Sequence, residues 1–309
     1  MKLIFPFILL LLTFYGCACK KKDPEPESPG RRFFLFITKP DDHYNTIEAD
    51  LRNPKGITRD ASGNFYISDY DNHYIVKVSA DSQVTLLAYV EYPQGLAVDA
   101  NGNVYVADEE NHNIVKIAAD GTATTFAGSG TAGADNGQGT AASFNHPMGV
   151  AIDSHGNLFV TDKLNGLVRK ITPGGEVSTF AGPFSGPTGI TMDAYNNLYV
   201  ANSNATILKI TPTGEVLNAV RGQPTGDNVF HVPFAITVDE EGNLYVTDIY
   251  DWVVRKINVN GEVSVFIGTR RTEEDPSQVV FYREMYGIVY SEAYLYVTMD
   301  YGYVLKVEK

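Results

Sequence analysis

The chain has 309 residues and is 44% hydrophobic, enough for one large domain or two ordinary ones. Its formal net charge of −13 opposes a phosphate backbone, so nucleic acid is excluded as an expected partner. Tyr (19) and Phe (16) are abundant and Val and Ile recur in short runs, which favours strands over helices.

Lys2 is followed by an apolar run from Leu3 to Tyr15, broken only by Pro6 and Thr13. A bilayer needs about 20 apolar residues, so this run is too short for an ordinary transmembrane helix and has the shape of a secretory signal peptide. Both cysteines, Cys17 and Cys19, follow it, so no disulfide framework and no cysteine-based metal site are expected in the body. Gly16-Cys17 resembles a bacterial lipoprotein lipobox, with Ala18-Cys19 as the alternative. The resemblance implies a signal peptide over 1–16 and a lipid-anchored protein of the cell envelope, on its periplasmic face or the cell surface. It would touch the membrane through the anchor alone. Residues 17–30, charged and proline-rich, read as a flexible tether. The folded body is expected over 31–309.

The first element of the body is RRFFLFIT (31–38), a strand with no copy of its own. After it the chain repeats. NPKGITRDASGNFYISDYDNHYIVKV (53–78) returns as YPQGLAVDANGNVYVADEENHNIVKI (92–117), HPMGVAIDSHGNLFVTDKLNGLVRKI (146–171), GPTGITMDAYNNLYVANSNATILKI (186–210) and VPFAITVDEEGNLYVTDIYDWVVRKI (232–257). EMYGIVYSEAYLYVTMDYGYVLKV (284–307) is a degenerate sixth copy. Copies of about 40 residues point to a propeller or a solenoid. Each complete copy holds four strand signals, such as GLAVD, NVYVAD, NIVKI and TATTFAG, joined by Asn-Gly and Asp-Gly turns. One such meander cannot bury both faces alone, and radial stacking of copies buries them. The sixth copy lacks a fourth strand, and 31–38 resembles the fourth-strand segments EVSTFAG and EVSVFIG. The expected fold is therefore all-β, a six-bladed propeller of four-stranded antiparallel blades whose last blade is closed by the N-terminal strand beside 303–308.

Between the second and third copies, Gly128-Ser129-Gly130-Thr131-Ala132-Gly133 spells the G-x-G-x-x-G of a dinucleotide loop. That motif needs a strand before it and a helix opening after it. The glycine-rich span 128–145 leaves no room for a useful helix, so the segment reads as a loop between blades. Lys39–Arg52, Gln223–His231 and Thr269–Arg283 lengthen the same connection in other copies. All four loops are expected on the rim that carries the second-to-third-strand corners, where a site would lie.

The pattern Pro-x-Gly-[Ile/Val]-x-x-Asp, Gly-Asn-[Leu/Val]-Tyr-Val-x-Asp and Asn-His-x-Ile-x-Lys resembles the NHL repeat. The resemblance implies the propeller fold and leaves function open, since such propellers serve as enzymes, scaffolds and ligand binders. Asp69, Asp108, Asp162, Asp248 and Asn202 end the second strands of the five complete copies. They read either as a ring of ligand or cation sites or as caps accepting backbone N–H bonds, and their presence in every complete copy favours the caps. His73 and His112 also belong to the repeat. Histidines His43, His146 and His231 share the loop-bearing rim without a metal-binding spacing. Tyr70, Tyr250, Trp252 and Tyr301 lie in or near the corners and suit either stacking on a ligand or wedging between blades. The recurring Lys77, Lys116, Lys170, Lys209, Lys256 and Lys306 are expected to snorkel or to pair with acidic neighbours.

Two propeller enzymes offer a check. Peptide-amidating lyases, which the strand pattern resembles, carry zinc-binding histidines beside the residue after the blade-opening proline. The corresponding residues here are Lys55, Gln94, Met148, Thr188, Phe234 and Tyr286. Gluconolactonase-type lactonases use a Glu, an Asn and an Asp around calcium, and Glu109, Asn202 and Asp248 are the matching types on the same rim. The expected role is a monomeric binding or scaffold module that holds a protein, peptide or glycan ligand on the decorated rim, with no cofactor and no catalytic residues. The alternative is a calcium-dependent lactonase-like or lyase-like enzyme.

Overall fold

Strand β1 (Phe33–Ile37) pairs antiparallel with the last strand of the chain, Phe33 opposite Val307 and Ile37 opposite Tyr303. The ring is thus closed by the two ends of the body, as the sequence predicts. The computed structural model describes residues 33–37, 51–220, 230–268 and 284–309. Cys17, Cys19, His43 and the side chain of Tyr301 lie outside the described residues.

Six sheets follow one another around an axis. Blade 1 comprises β2 (Pro54–Arg59), β3 (Phe65–Asp69), β4 (Tyr74–Val78) and β5 (Val84–Tyr89). Blade 2 comprises β6 (Pro93–Val98), β7 (Val104–Asp108), β8 (Asn113–Ile117) and β9 (Ala123–Ala127). Blade 3 carries an extra two-residue strand, β10 (Gly137–Gln138), followed by β11 (Pro147–Ile152), β12 (Leu158–Asp162), β13 (Leu167–Ile171) and β14 (Glu176–Ala181). Blade 4 is β15 (Pro187–Met192), β16 (Leu198–Asn202), β17 (Thr206–Ile210) and β18 (Val216–Asn218). Blade 5 is β19 (Pro233–Val238), β20 (Leu244–Asp248), β21 (Val253–Ile257) and β22 (Val263–Ile267). Blade 6 is β23 (Met285–Ser291), β24 (Tyr294–Met299), β25 (Tyr303–Glu308) and β1.

Burial falls from the axis outward. Every residue of β7, β12, β16 and β20 is buried, because the second strand is covered by neighbouring blades on both faces. In blades 1 to 5 the outermost strand of the meander carries the most exposed residues, and every residue of β18 is exposed. The third-strand lysines lie over the ring across the ladder: Lys77 over Tyr66, Lys116 over Tyr105, Lys209 over Tyr199 and Lys256 over Tyr245, each 5.5 Å from the centroid. Their partners are aromatic faces, where acidic neighbours were one of the expectations.

The span 128–145 does not form a phosphate loop. Its only helical residues are the 3-10 turn Gly139–Ala141. Its middle joins blade 3 as β10, pairing Gln138 with Glu176 on the outermost strand, so that this sheet has five strands. Ala142 and Phe144 are fully buried in the core between blades 2 and 3. The buried Arg169 holds the insert through the carbonyls of Ser143 and Asp135, both at 3.0 Å. The loop borders the rim of the second-to-third-strand corners at Gly133, whose carbonyl accepts from Asn165 Nδ2 at 2.6 Å, and then runs onto the outer flank as β10.

At the axis the first strands approach so closely that in five of the six blades the third position is glycine with no room for a side chain, blade 5 having Ala235 there. A Cβ on Gly149 would lie 2.7 Å from the carbonyl oxygen of Thr188, and one on Gly287 would lie 2.6 Å from that of Lys55. A hydroxyl from the second strand bridges adjacent blades at this level. Thr247 Oγ1 accepts the N–H of Ala235 in its own blade at 2.9 Å and donates to the carbonyl of Tyr286 in the next at 2.8 Å. Ser68 and Thr161 make the same bridge to Gln94 and Thr188. Two outcomes are expected. Gly149→Ala should lower unfolding free energy by about 2–3 kcal/mol in a urea titration, because backbone rather than a flexible side chain must yield. Deleting Arg31–Thr38 exposes the edge of β25 and should abolish the single cooperative transition in a calorimetric melt.

Candidate active site

The first strands begin on the same rim that carries the second-to-third-strand corners, here the upper rim. The repeated aspartates hold this rim together. Asp69 accepts the N–H groups of Arg52 and Asn53 at 2.9 Å each. Asp108 accepts that of Tyr92 at 3.0 Å, Asp162 that of Asn145 at 2.7 Å, and Asp248 those of His231 and Val232 at 2.8 and 3.0 Å. Each corner carboxylate ties the end of a second strand to the segment leading into the first strand of the same blade. The corner asparagines Asn72, Asn111 and Asn165 donate to the same carboxylates. Next to them the chain takes a positive φ at His73 (61°), His112 (51°), Gly166 (68°), Ala205 (64°) and Trp252 (56°). These residues share one backbone position, so the repeated histidine has a turn-forming place in the scaffold.

Blade-to-blade symmetry breaks at two positions. The residue after each blade-opening proline, or after Met285 in blade 6, is Lys55, Gln94, Met148, Thr188, Phe234 or Tyr286. All but Tyr286 line the axial cavity. The residue after each corner is Tyr70, Glu109, Lys163, Ser203, Ile249 or Asp300. The backbone N–H of each of these bonds to the carbonyl of the residue preceding the first strand, at 3.0–3.3 Å. The upper part of the axial cavity, at the level of Lys55 and Gln94, holds about 80 Å³, and the lower part, bordered by Arg59, Val98 and Met192, holds about 260 Å³. The upper part has room for a few waters, well short of the about 300–1,000 Å³ of ordinary ligand pockets, so a molecule approaching from the upper rim rests across the mouth.

The mouth is polar on blades 6, 1 and 2 and at the rim of blade 3, where His146 and Lys163 lie, and less polar toward blades 4 and 5. Lys55 Nζ lies 3.2 Å from the centroid of the Tyr286 ring, and the Tyr286 hydroxyl donates to Glu284. Gln94 Nε2 donates to Glu109 Oε2 at 2.6 Å, fixing a carboxylate that is 9% exposed. Lys163 Nζ and His146 Nδ1 stand 3.8 and 3.5 Å from Glu109 Oε1. Met148, buried on blade 3, and Phe234, whose ring stands 5.6 Å from that of Tyr286, add apolar surface to the axial cavity, and the Thr188 hydroxyl donates to the backbone carbonyls of Ala201 and Pro233. Burial pulls the Lys55 ammonium down to about 8, against the opposing pull of Glu284, Asp71, Glu109 and Asp300. Burial, with Glu109 and Glu110 nearby, pushes the Tyr70 hydroxyl up to about 12.

The lactonase-like trio of Glu109, Asn202 and Asp248 does not share this mouth position. Asp248 is fully buried, and besides its two backbone donors it receives Arg255 Nε at 3.3 Å. Asn202 donates to Asn204 and Thr206. Among the described residues, Glu109 groups with Glu110 and His146, one ligand atom from each within 4.8 Å of the others, while Asp248 groups with His231 and Asp251. His146 and His231 thus fall in separate clusters. Tyr70 reaches the mouth, whereas Tyr250 is 68% exposed on blade 5 beside the His231 ring. His112 lies behind the site, its Nδ1 accepting the His146 N–H at 3.2 Å. Sequence reasoning passed over Lys55, Gln94, Tyr286 and Lys163 as functional residues. Their signal was present as the change of residue type from copy to copy at an otherwise regular position.

The family model of the virginiamycin B lyase family matches residues 38–266. The chain belongs to the virginiamycin B lyase family. This is a β-propeller family of the same broad kind as the NHL repeats that the sequence resembles. The structure is similar to that of a catalytically inactive histidine-to-alanine variant of virginiamycin B lyase from Staphylococcus aureus with quinupristin. The TM-score is 0.63 at 17% identity, over 91% of this chain and 100% of that one. A gluconolactonase from Xanthomonas campestris gives a TM-score of 0.67 at 15% identity, over 90% of this chain and 89% of the other. A structural-genomics protein of unknown function from Bacteroides thetaiotaomicron gives 0.66 at 20% identity, over 90% and 76%. No curated protein matches the sequence.

In this member of the virginiamycin B lyase family, Lys55 makes the mouth pH-sensitive. The folded state binds the Lys55 proton more weakly than the unfolded chain, with about 8 against 10.5. Its charged form therefore weakens the fold below about 8, and that cost is relieved as pH rises through the interval to 10.5. Relative to Lys55→Met, the wild-type protein should gain stability across this interval in urea melts at stepped pH.

Proposed function

We propose that the protein is a lyase-type enzyme that opens an ester-linked ring in a small organic molecule seated across the upper mouth of the channel. The observation that carries this reading is Lys55, an amine held by burial at about 8, over the Tyr286 ring and within the field of Glu109. A fraction of it is neutral at physiological pH and can accept a proton, as a general base must. A base so placed takes the proton from a carbon beside a carbonyl. The released electron pair forms a carbon–carbon double bond as the carbon–oxygen bond at the next carbon breaks, and the ester leaves as a carboxylate. Lys163, in reach of Glu109, supplies a positive charge for that carboxylate. Met148 and Phe234 give the substrate an apolar seat and keep water from competing.

Membership in a lyase family and likeness of fold to a gluconolactonase support chemistry on a cyclic ester. This reading takes the place of the binding-module role expected from the sequence, which rested on seeing no catalytic constellation. A second reading, metal-assisted lactone hydrolysis, is favoured by the convergence of Glu109, Glu110 and His146. Those residues would hold a divalent cation that supplies Lewis-acid charge at a carbonyl oxygen. An imidazole among the donors departs from the all-oxygen shell that calcium takes. Export and lipid anchoring through Cys17, or Cys19, complete the proposal and rest on the apolar run before them.

Incubation with a panel of lactones and cyclic ester-containing peptides, followed by mass spectrometry, tests the assignment. The expected product has the mass of its substrate, since elimination opens the ring without adding water. Lys55→Met should lower kcat by about 10²–10⁴-fold. A product heavier by one water, lost after dialysis against a chelator, would establish the lactonase reading in its place.

A further inference from the structure

Five aromatic rings run outward from the mouth between blades 1 and 2. Tyr70 stands 6.0 Å from Tyr92, centroid to centroid, and Tyr92 stands 5.9 Å from His73. His73 is 6.0 Å from Tyr89, and Tyr89 is 5.9 Å from Tyr74. The outer end is open to solvent, with Tyr74 37% and Tyr89 57% exposed. Contiguous exposed rings of this kind mark ligand surfaces more often than isolated ones do. The scaffold fixes the inner part. The backbone N–H of Tyr70 bonds to the carbonyl of Asn53, and His73 Nδ1 is held against the carbonyl of Glu91.

Carboxylates flank the rings. Glu91 is anchored by Asn111 Nδ2 at 3.1 Å and lies against the Tyr92 hydroxyl, whose proton it helps retain. Glu110 is half exposed, and its one ion-pair partner among the described residues is His146 at 3.7 Å. Asp71 is exposed and receives Asn53 Nδ2. Aromatic faces with carboxylates at their edges attract an organic cation twice over, through the ring quadrupole and through charge, while the carboxylates repel an anion.

We propose that the Tyr70–Tyr92–His73–Tyr89 ridge, with Glu91 and Glu110, is a subsite for a substituted ammonium group on the substrate. The subsite rests on the lyase-type reading above for its role, since it would hold one end of a molecule whose ester lies over Lys55. Its existence is tested without turnover.

The probe is benzyltrimethylammonium, added to the full-length protein and followed by saturation-transfer NMR, with benzyl alcohol as the uncharged comparison. The ammonium probe should bind with a millimolar constant at least fivefold tighter than the alcohol. Tyr89→Ala and Tyr92→Ala should each weaken it severalfold, Tyr92→Phe should retain it, and Tyr250→Ala on blade 5 should leave it unchanged. The exposed Tyr89 guards against the chance that Tyr92→Ala fails to fold. Equal binding of the two probes, or binding insensitive to both Tyr89→Ala and Tyr92→Ala, overturns the subsite. Probe binding that survives Lys55→Met while turnover is lost supports both assignments. Turnover that depends on Lys55 without any probe binding removes the subsite and leaves the lyase reading standing.

Discussion

The molecule depends on how closely six first strands meet at one axis. At Gly56, Gly95, Gly149, Gly189 and Gly287 the nearest atom of the adjoining blade is a backbone carbonyl oxygen, at 2.5–2.7 Å from where a Cβ would sit. Blade 5 has Ala235 there, and its Cα is what the Gly189 position meets. This contact sets the number of blades that fit around the channel and the narrowness of the cavity inside it. The hydroxyls of Ser68, Thr161, Thr247 and Thr298 work at the same level, each linking its own blade to the next. Ala107 and Ala201 occupy that position in blades 2 and 4, and Thr188 bridges the seam between blades 4 and 5 from the first strand.

The repeat was legible because it is built from residues with one physical job each. Asp-x-x-x-Asn closes the lower turns, where Asp60, Asp99, Asp153, Asp193 and Asp239 each bind the side chain of the asparagine four residues on. The corner aspartates were legible as caps for the same reason, although the N–H groups they bind belong to a segment 16–17 residues away and not to their own turn. Less could be read of the insert 128–145. Its glycines suggested a bare loop, yet Phe144 and Ala142 make it part of the core and Arg169 reaches in from another strand to hold it. That docking joins residues up to 34 apart, beyond local pattern reading.

The candidate site was the least legible part for a physical reason. Periodic residues advertise themselves by recurring, so attention goes to Asp69, Asp108, Asp162 and Asp248, which the scaffold consumes. The residues free to differ, such as Lys55 beside Gln94 or Tyr70 beside Glu109, form no motif in one dimension. They become a site only when the ring brings blades 6, 1, 2 and 3 around a single opening. The fold thus separates two tasks. One set of positions is held constant so that the sheets close, and the adjacent set varies so that one side of the mouth is charged and the other apolar.

Strand β1 pairs antiparallel with β25, so it begins on the lower rim, where β25 ends. Lys309 fastens that end to the lower turn of blade 5 through Asp239 at 2.8 Å. Both ends of the propeller therefore emerge on the rim opposite the mouth. A label joined directly to Lys309 would sit beside the lower turn of blade 5, on the side of the sheets away from the mouth.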